Sequence, residues 1–278
     1  MTIVDNNLKN VSNIKKISIT DTTTGDQTIT TGGWFDAAFK ASGVELTTAA
    51  TKGDIVIDMT TFSGAAKITA TTVGAGAGEG ALNIQTGSGA DTVTVSAAAA
   101  GDAGVVKTYD GNDTIITAST AAFTLTAGKG NDTVTLASTG IETVVFEATA
   151  ANNGTDTITG FEWGAGKDVL NVAGFVAAAR ADSVGATIAS GIDATALNVV
   201  GLTDIQTLTS ANFGAAASNT VIKTAASSKL FVVADLAADV DSVQNLYYVS
   251  TDASNVATVT LVGTVNEGTL NAGNFTTV

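Results

Sequence analysis

The sequence contains no cysteine, no histidine and no proline. Without cysteine there is neither a disulfide nor a thiolate ligand. Without histidine there is no imidazole metal site and no Ser-His or Cys-His catalytic pair. A chain of 278 residues with no proline suits repeated strands, where proline would remove ladder hydrogen bonds. Aromatic residues make up only 5%, so the core has to be built from Val, Ile, Leu and Ala. Basic residues are outnumbered, 12 against 26 acidic ones, for a net charge of −14. Nucleic acid is therefore not an expected partner, because phosphate contacts need basic patches and none is visible. The most apolar run, around 230–236, is too short to span a bilayer and is broken by Asp235, so no membrane insertion is expected. Residues 1–16 lack the basic and then apolar pattern of a cleaved leader.

Glycine, by contrast, occurs 30 times, and one short phrase recurs four times: GSGADTVTV from Gly87, DGNDTIIT from Asp110, GKGNDTVTL from Gly128 and NGTDTITGF from Asn153. Each copy is a glycine-rich turn, then an aspartate, then an alternating strand. Asp91, Asp113, Asp132 and Asp156 share one slot, at intervals of 22, 19 and 24 residues. Glycine stands two places before each, at Gly89, Gly111, Gly130 and Gly154, and allows backbone conformations closed to other residues. Such a turn brings peptide carbonyls beside a carboxylate, the hard oxygen donors that Ca²⁺ takes six to eight at a time. A nonapeptide signature of this kind fills a coil with two copies. Here each coil has one good copy, and the other half reads as a plain strand at 105–109, 122–127 and 142–148. The aspartates are expected to stack on one edge of a parallel roll.

These residues resemble the RTX (repeats-in-toxin) family of calcium-binding β-roll proteins. The segment DTITGFEWGAGKDVLNV (156–172) is similar to the end of such rolls, with Asp156, Ile158, Phe161, Gly166, Asp168 and Leu170 on the family pattern. The first glycine of the motif is replaced in every copy, by Thr86, Thr108, Ala127 and Asn152, and the second in two, by Tyr109 and Asn153. The resemblance implies bound Ca²⁺, export by the type I secretion machinery and an extracellular location on the bacterial surface or in its matrix. The expected metal ligands are Gly87, Gly89, Asp91, Asp110, Gly111, Asp113, Gly128, Gly130, Asp132, Gly154, Asp156 and Asp168.

The expected fold is all-β: a right-handed parallel β-roll or β-solenoid with calcium-binding glycine-rich turns, a short capping helix and a C-terminal β-rich region. Three segments follow. Residues 1–86 form a β-solenoid region with strands at 14–20, 27–31, 44–48, 54–59, 66–72 and 81–86. One helix at 33–42, with Trp34, Phe35, Ala38 and Phe39 on one face, caps or fills the solenoid end. Asp21, Asp26, Asp54 and Asp58 read as solvated turn residues. Residues 87–175 are the calcium-binding roll. Residues 176–278 are a C-terminal assembly or secretion region, with a short helix at 176–183, strands at 196–201, 220–225, 229–235, 245–251 and 257–265, and a polar loop with three aspartates at 235–243.

No G-x-S-x-G, Walker or H-E-x-x-H motif is present, so no catalytic residue and no organic cofactor is assigned and the chain is not expected to be an enzyme. The expected function is structural: a calcium-dependent extracellular protein that assembles with itself into an S-layer lattice or matrix filament, with cell-surface polysaccharide as a further partner. One alternative is the C-terminal calcium-binding module of a larger adhesin. Another is a carboxylate-based polysaccharide lyase or hydrolase on a β-helix, since glycosidase chemistry needs only two carboxylates.

Overall fold

The computed structural model describes all residues except 12–13, 22–24, 51–52, 73–79, 98–102, 119, 148, 177–180, 188–189, 206, 217–220, 237–242, 267 and 278. Strands take 48% of the chain and helices 10%, so the chain is mostly β, with long parallel sheets consistent with an all-β solenoid or roll. It divides into two compact units, Met1–Val145 and Phe146–Val278, so the 87–175 stretch is shared between them.

In Met1–Val145 successive strands alternate between two sheets. The first contains β1 (Thr2–Val4), β3 (Gln27–Thr30), β5 (Ile55–Asp58), β7 (Leu82–Gln85), β9 (Ala103–Lys107), β11 (Ala122–Thr126) and β13 (Thr143–Val145), stacked in that order. The second contains β2 (Lys16–Asp21), β4 (Val44–Ala50), β6 (Ala66–Thr72), β8 (Thr92–Ala97), β10 (Thr114–Thr117) and β12 (Thr133–Thr135). Neighbouring strands in both stacks pair in parallel.

The Thr/Val/Ile alternation explains this. Each strand turns one set of side chains inward and the other outward, as in β4, where buried and half-buried residues alternate from Val44 to Ala50. Register then puts like on like. Ile29, Ile57, Ile84, Val106, Leu125 and Val144 form one buried column. Leu46, Ile68, Val93, Ile115 and Val134 form another. Burying such a side chain contributes about 1.5–3 kcal/mol. Where a column receives something larger, its neighbour shrinks: Gly104 pairs with Phe123, and a Cβ on Gly104 would lie 2.0 Å from the ring.

The helix expected at 33–42 is α1 (Gly33–Phe39), in the connection between β3 and β4. The Asp5 carboxylate accepts the N–H groups of Trp34 and Phe35 at 3.2 and 2.8 Å, which satisfies two of the donors orphaned at a helix start. Phe35 and Phe39 are buried against Phe62, with centroids of Phe35 and Phe62 5.1 Å apart. The helix thus fills core from within a connection. Trp34 departs from its expected place on the buried face. It is 51% exposed, with the Lys9 ammonium 5.2 Å from its ring centre.

In Phe146–Val278, β14 (Asp156–Thr159) pairs in parallel with β23 (Ala257–Asn266), and β15 (Val169–Asn171) with β24 (Phe275–Thr276). The coil that resembles a roll terminus thus lies against the last coil of the chain. The sheet continues from β23 through β22 (Val243–Thr251) and β21 (Lys229–Leu236), both antiparallel steps, then in parallel to β17 (Leu197–Leu202) and β16 (Ala181–Ala186). Leu230 to Ala234 are all buried, the continuous apolar pattern of a strand covered on both faces. One face meets Leu208, Phe213 and Ile222 from the loops and short strands β18 (Asp204–Ile205), β19 (Phe213–Gly214) and β20 (Ile222–Lys223). The other carries rings, with Phe175 stacked on Tyr248 and on Phe231 at 5.1 and 6.0 Å.

Of the helix expected at 176–183, residues 177–180 lie outside the described residues, and Ala181–Ala186 is strand β16 instead of helix. Its alanines favour a helix locally, but an open sheet edge beside β17 offers ladder bonds, and tertiary context overrides weak propensity. Of the expected polar loop at 235–243, residues 237–242 lie outside the described residues.

Candidate functional site: the aspartate column

The glycine turns stack as two columns, and the backbone itself makes glycine necessary. A Cβ on Gly89 would meet the Gly64 carbonyl oxygen at 2.2 Å, one on Gly111 the Gly89 oxygen at 2.1 Å, and one on Gly130 the Gly111 oxygen at 1.7 Å. Each coil rests a carbonyl on the bare Cα of the next. In the other column Gly87 faces the Phe62 oxygen and Gly128 the Tyr109 oxygen, at 1.7 and 1.8 Å. Tyr109, where the motif has lost its glycine, keeps the left-handed backbone at φ 64°. Its hydroxyl donates to Gln85 Oε1 at 2.6 Å.

Beside these columns run the aspartates. Asp91 Oδ1 accepts the backbone N–H of Ala66 at 2.7 Å, Asp113 Oδ1 that of Asp91 at 2.7 Å, and Asp132 Oδ1 that of Asp113 at 2.8 Å. Every carboxylate reaches back one coil. All three residues are at most 2% exposed, and the Oδ2 atoms of Asp91 and Asp113 are buried without a hydrogen-bond partner. Burial pushes the Asp113 carboxyl up to about 7; the Asp91 N–H and the nearby Thr108 hydroxyl only partly oppose this, and the neighbouring Asp91 and Asp132 charges add to it. Burial likewise raises Asp132 to about 6 and raises Asp91. A column of ionised carboxylates in this setting requires a counter-cation or protons.

The slot where the motif's first glycine is missing has its own ladder. Thr86 Oγ1 donates to the Thr108 carbonyl at 3.1 Å, and Thr108 Oγ1 to the Ala127 carbonyl at 2.7 Å. The substitution gives the coils an extra inward hydrogen bond.

The structure thus brings Gly87, Gly89, Asp91, Gly111, Asp113, Gly128, Gly130 and Asp132 together. It does not bring Asp110 into the column: that carboxylate is exposed and pairs with Lys129 at 3.0 Å. Gly154, Asp156 and Asp168 belong to the second unit. Gly154, at φ 75°, ends the short helix α2 (Ala150–Asn153). Asn153 Nδ2 donates to Asp156 Oδ2 at 2.8 Å and to the Val262 carbonyl at 3.1 Å. Asp168 is fully buried, with its Oδ2 accepting the Glu162 N–H at 2.8 Å and its carbonyl taking Asn274 Nδ2 at 2.7 Å.

A second ladder stands where solvated turns are expected. Asp26 Oδ1 accepts the Asp54 N–H at 3.1 Å, and Asp54 Oδ1 the Ala81 N–H at 2.9 Å. The available signal is a Gly-Asp pair directly before a strand, at Gly25–Asp26 and Gly53–Asp54. These carboxylates reach forward one coil, opposite in sense to the first column. The roles of Asn153 and Asn274 leave no local signal at all, since they depend on partners more than a hundred residues away.

As donors the column offers only hard oxygens, carboxylate and peptide, which match Ca²⁺ or Mg²⁺ and no softer metal. Gly89 O and Asp113 Oδ1 crowd the same face of Gly111. No group of three or more acidic side chains is gathered for a metal among the described residues. A cation here would thus be held by carboxylates of adjacent coils, with peptide oxygens completing its shell. No helix among the described residues is long and apolar enough to cross a membrane. Compared with protein-family models, with curated proteins and with solved structures, the chain finds no match.

Proposed function

We propose that the chain is a calcium-dependent structural protein of the bacterial exterior, exported by type I secretion, that assembles with copies of itself into a surface lattice or matrix filament. The observation that carries this is the pair of buried, unpartnered oxygens, Asp91 Oδ2 and Asp113 Oδ2, in a stacked carboxylate column. Ca²⁺ supplies the missing positive charge and accepts those oxygens. The glycine turns would supply peptide carbonyls, and Asp132 extends the column. In this reading the coils are those of a right-handed calcium roll.

The energetics suit an export switch. Extracellular calcium modules bind at about 10⁻⁴–10⁻³ M. A site filled at free calcium about tenfold above its Kd adds about 1.4 kcal/mol to folding. Two or three such sites would be a large share of the ~5–15 kcal/mol that holds a domain. Where calcium is scarce the column repels itself, and where it is plentiful the coils set.

Titration calorimetry with Ca²⁺ followed by light scattering on the same sample tests both halves. Saturable heat with growth in scattering is expected, reversed by excess chelator. Absence of heat at millimolar Ca²⁺ overturns the calcium reading, and polymers unchanged in chelator overturn its link to assembly.

A further inference from the structure

The end strand of the second stack is β2, and among the described residues no strand lies on its far side. The Glu45 N–H donates to the Lys15 carbonyl at 2.8 Å, so Lys15 turns its peptide groups toward β4. Alternate residues of a strand turn the same way. The N–H and carbonyl groups of Lys16, Ser18 and Thr20 therefore point away from β4, and all three residues are exposed. The usual protections of such an edge are few. The strand is six residues long, contains no proline and runs against β4 without a bulge. Lys16 is tied to Glu45 of its own chain at 2.8 Å. The core is also unfinished here. Ile17 heads the buried column of Leu46, Ile68 and Val93, yet it is only half-buried.

Charge and symmetry select the occupant. Residues 1–20 carry three lysines against one aspartate, whereas the rest of the chain carries nine basic and 25 acidic residues. Two copies of such a chain repel where acidic faces meet, and the first coil is where that repulsion is missing. The strand is also its own complement. About a two-fold axis at Ser18, an antiparallel copy sets Ser18 opposite the partner's Ser18, Lys16 opposite the partner's Thr20 and Ile17 opposite the partner's Ile19. The residues with outward-turned peptide groups then all fall in hydrogen-bonded pairs. Ile17 gains an apolar cover, and the two Lys16 backbones stand about 14 Å apart.

We propose that β2 is a dimer edge, at which two copies of the chain join antiparallel, β2 to β2, about that axis. The inference rests on the self-assembly half of the proposed function. It gives that half a contact that needs no calcium, so the calcium half can fail alone.

The chain has no cysteine, so Ser18→Cys carries a single thiol. Across the axis its two Cα atoms would lie about 5.5 Å apart, within reach of a disulfide, whereas those of Lys16→Cys would lie about 14 Å apart. Under mild oxidation of the full chain, Ser18→Cys should cross-link to dimers at least about tenfold faster than Lys16→Cys. In sedimentation equilibrium the parent should dimerise with a micromolar Kd, and excess chelator should reduce calcium-grown polymers to dimers. Ser18→Pro removes an outward N–H and no bond to β4. It should weaken the dimer at least about tenfold, with the melting temperature of the monomer unchanged. Ser18→Val keeps the N–H and should dimerise as the parent does. If Ser18→Pro melts early, the two cysteine variants decide. A parent that stays monomeric, equal cross-linking by the two cysteine variants, or a dimer undiminished in a folded Ser18→Pro each overturn the proposal. Dimers in chelator beside a silent calcium titration would uphold the edge and remove the calcium reading.

Discussion

The Asp113 carboxylate accepts the backbone N–H of Asp91 at 2.7 Å, one coil earlier in the chain. One oxygen of this side chain therefore holds the stack together, while the other is buried without a partner. The two roles can be separated. Asp113→Asn keeps a carbonyl oxygen for the Asp91 N–H and removes the charge. It should equal or exceed the parent in stability in chelator at pH 8, and it should lose a large part of the calcium-induced rise in melting temperature. Asp113→Ala strands a buried N–H and should cost about 1–3 kcal/mol with or without calcium. Thermal melts of both variants, with and without Ca²⁺, decide this.

The pH dependence follows from the direction of the shifts. Asp113 is raised from 3.8 to about 7 and Asp132 to about 6, so between about pH 4 and 7 the folded state holds more protons than the unfolded one. Stability then falls as pH rises through that window. Metal-free protein should be most stable near pH 4 and least stable above pH 7, the reverse of the usual acid denaturation. Calcium competes with those protons, so its stabilising effect should grow from pH 5 to pH 8. Melts in chelator that rise with pH across this range would contradict the buried column.

Gly130→Ala places a methyl group 1.7 Å from the Gly111 carbonyl oxygen at a φ of 140°. Neither backbone can yield cheaply, and the expected loss is about 2–4 kcal/mol in urea denaturation. Gly33→Ala is the matched control, with nothing within 4 Å of the added carbon. On helix α1 it should be neutral or stabilising by up to about 1 kcal/mol.

Gly104 and Phe123 should be coupled. A Cβ on Gly104 meets the Phe123 ring at 2.0 Å, so Gly104→Ala alone should destabilise by about 1–3 kcal/mol. In a Phe123→Leu background the same change should cost less, with an interaction energy of about 0.5–3 kcal/mol in a double-mutant cycle. Strict additivity would mean that the two residues do not share the column.

Much of this architecture is legible in the sequence because a strand with one buried face writes itself with period two. The VELTT, DIVIDM and AKITATT stretches became strands on that pattern, and KLFVVAD did so as a continuous apolar run covered on both faces. The Asp91–Asp113–Asp132 register is legible for the same reason, as an identical slot repeated at coil spacing. What was not legible depends on partners. The alanine-rich run at 176–183 reads as helix, yet Ala181–Ala186 became a strand because β17 offers an edge. The helical spacing puts Trp34 on the buried face, yet the buried space holds Phe35, Phe39 and Phe62 and Trp34 stays exposed. The Asp26–Asp54 ladder looks like ordinary turn chemistry until two coils are laid one on the other.

The opposite senses of the two ladders single out one coil. The strands β6 and β7 carry no aspartate in either corner slot, yet Ala66 donates its N–H to Asp91 and Ala81 donates its N–H to Asp54. Both neighbours grip this coil, and it grips neither through a carboxylate. Beyond it, from Asp91 to Asp132, each rung has the same polarity, so a duplicated 92–113 segment would find its donor ready and lengthen the stack without a mismatch. Removing the β6–β7 coil would set Asp54 and Asp91 on adjoining levels with no alanine coil between them. The length of this protein is therefore adjustable on one side of that coil and fixed at it.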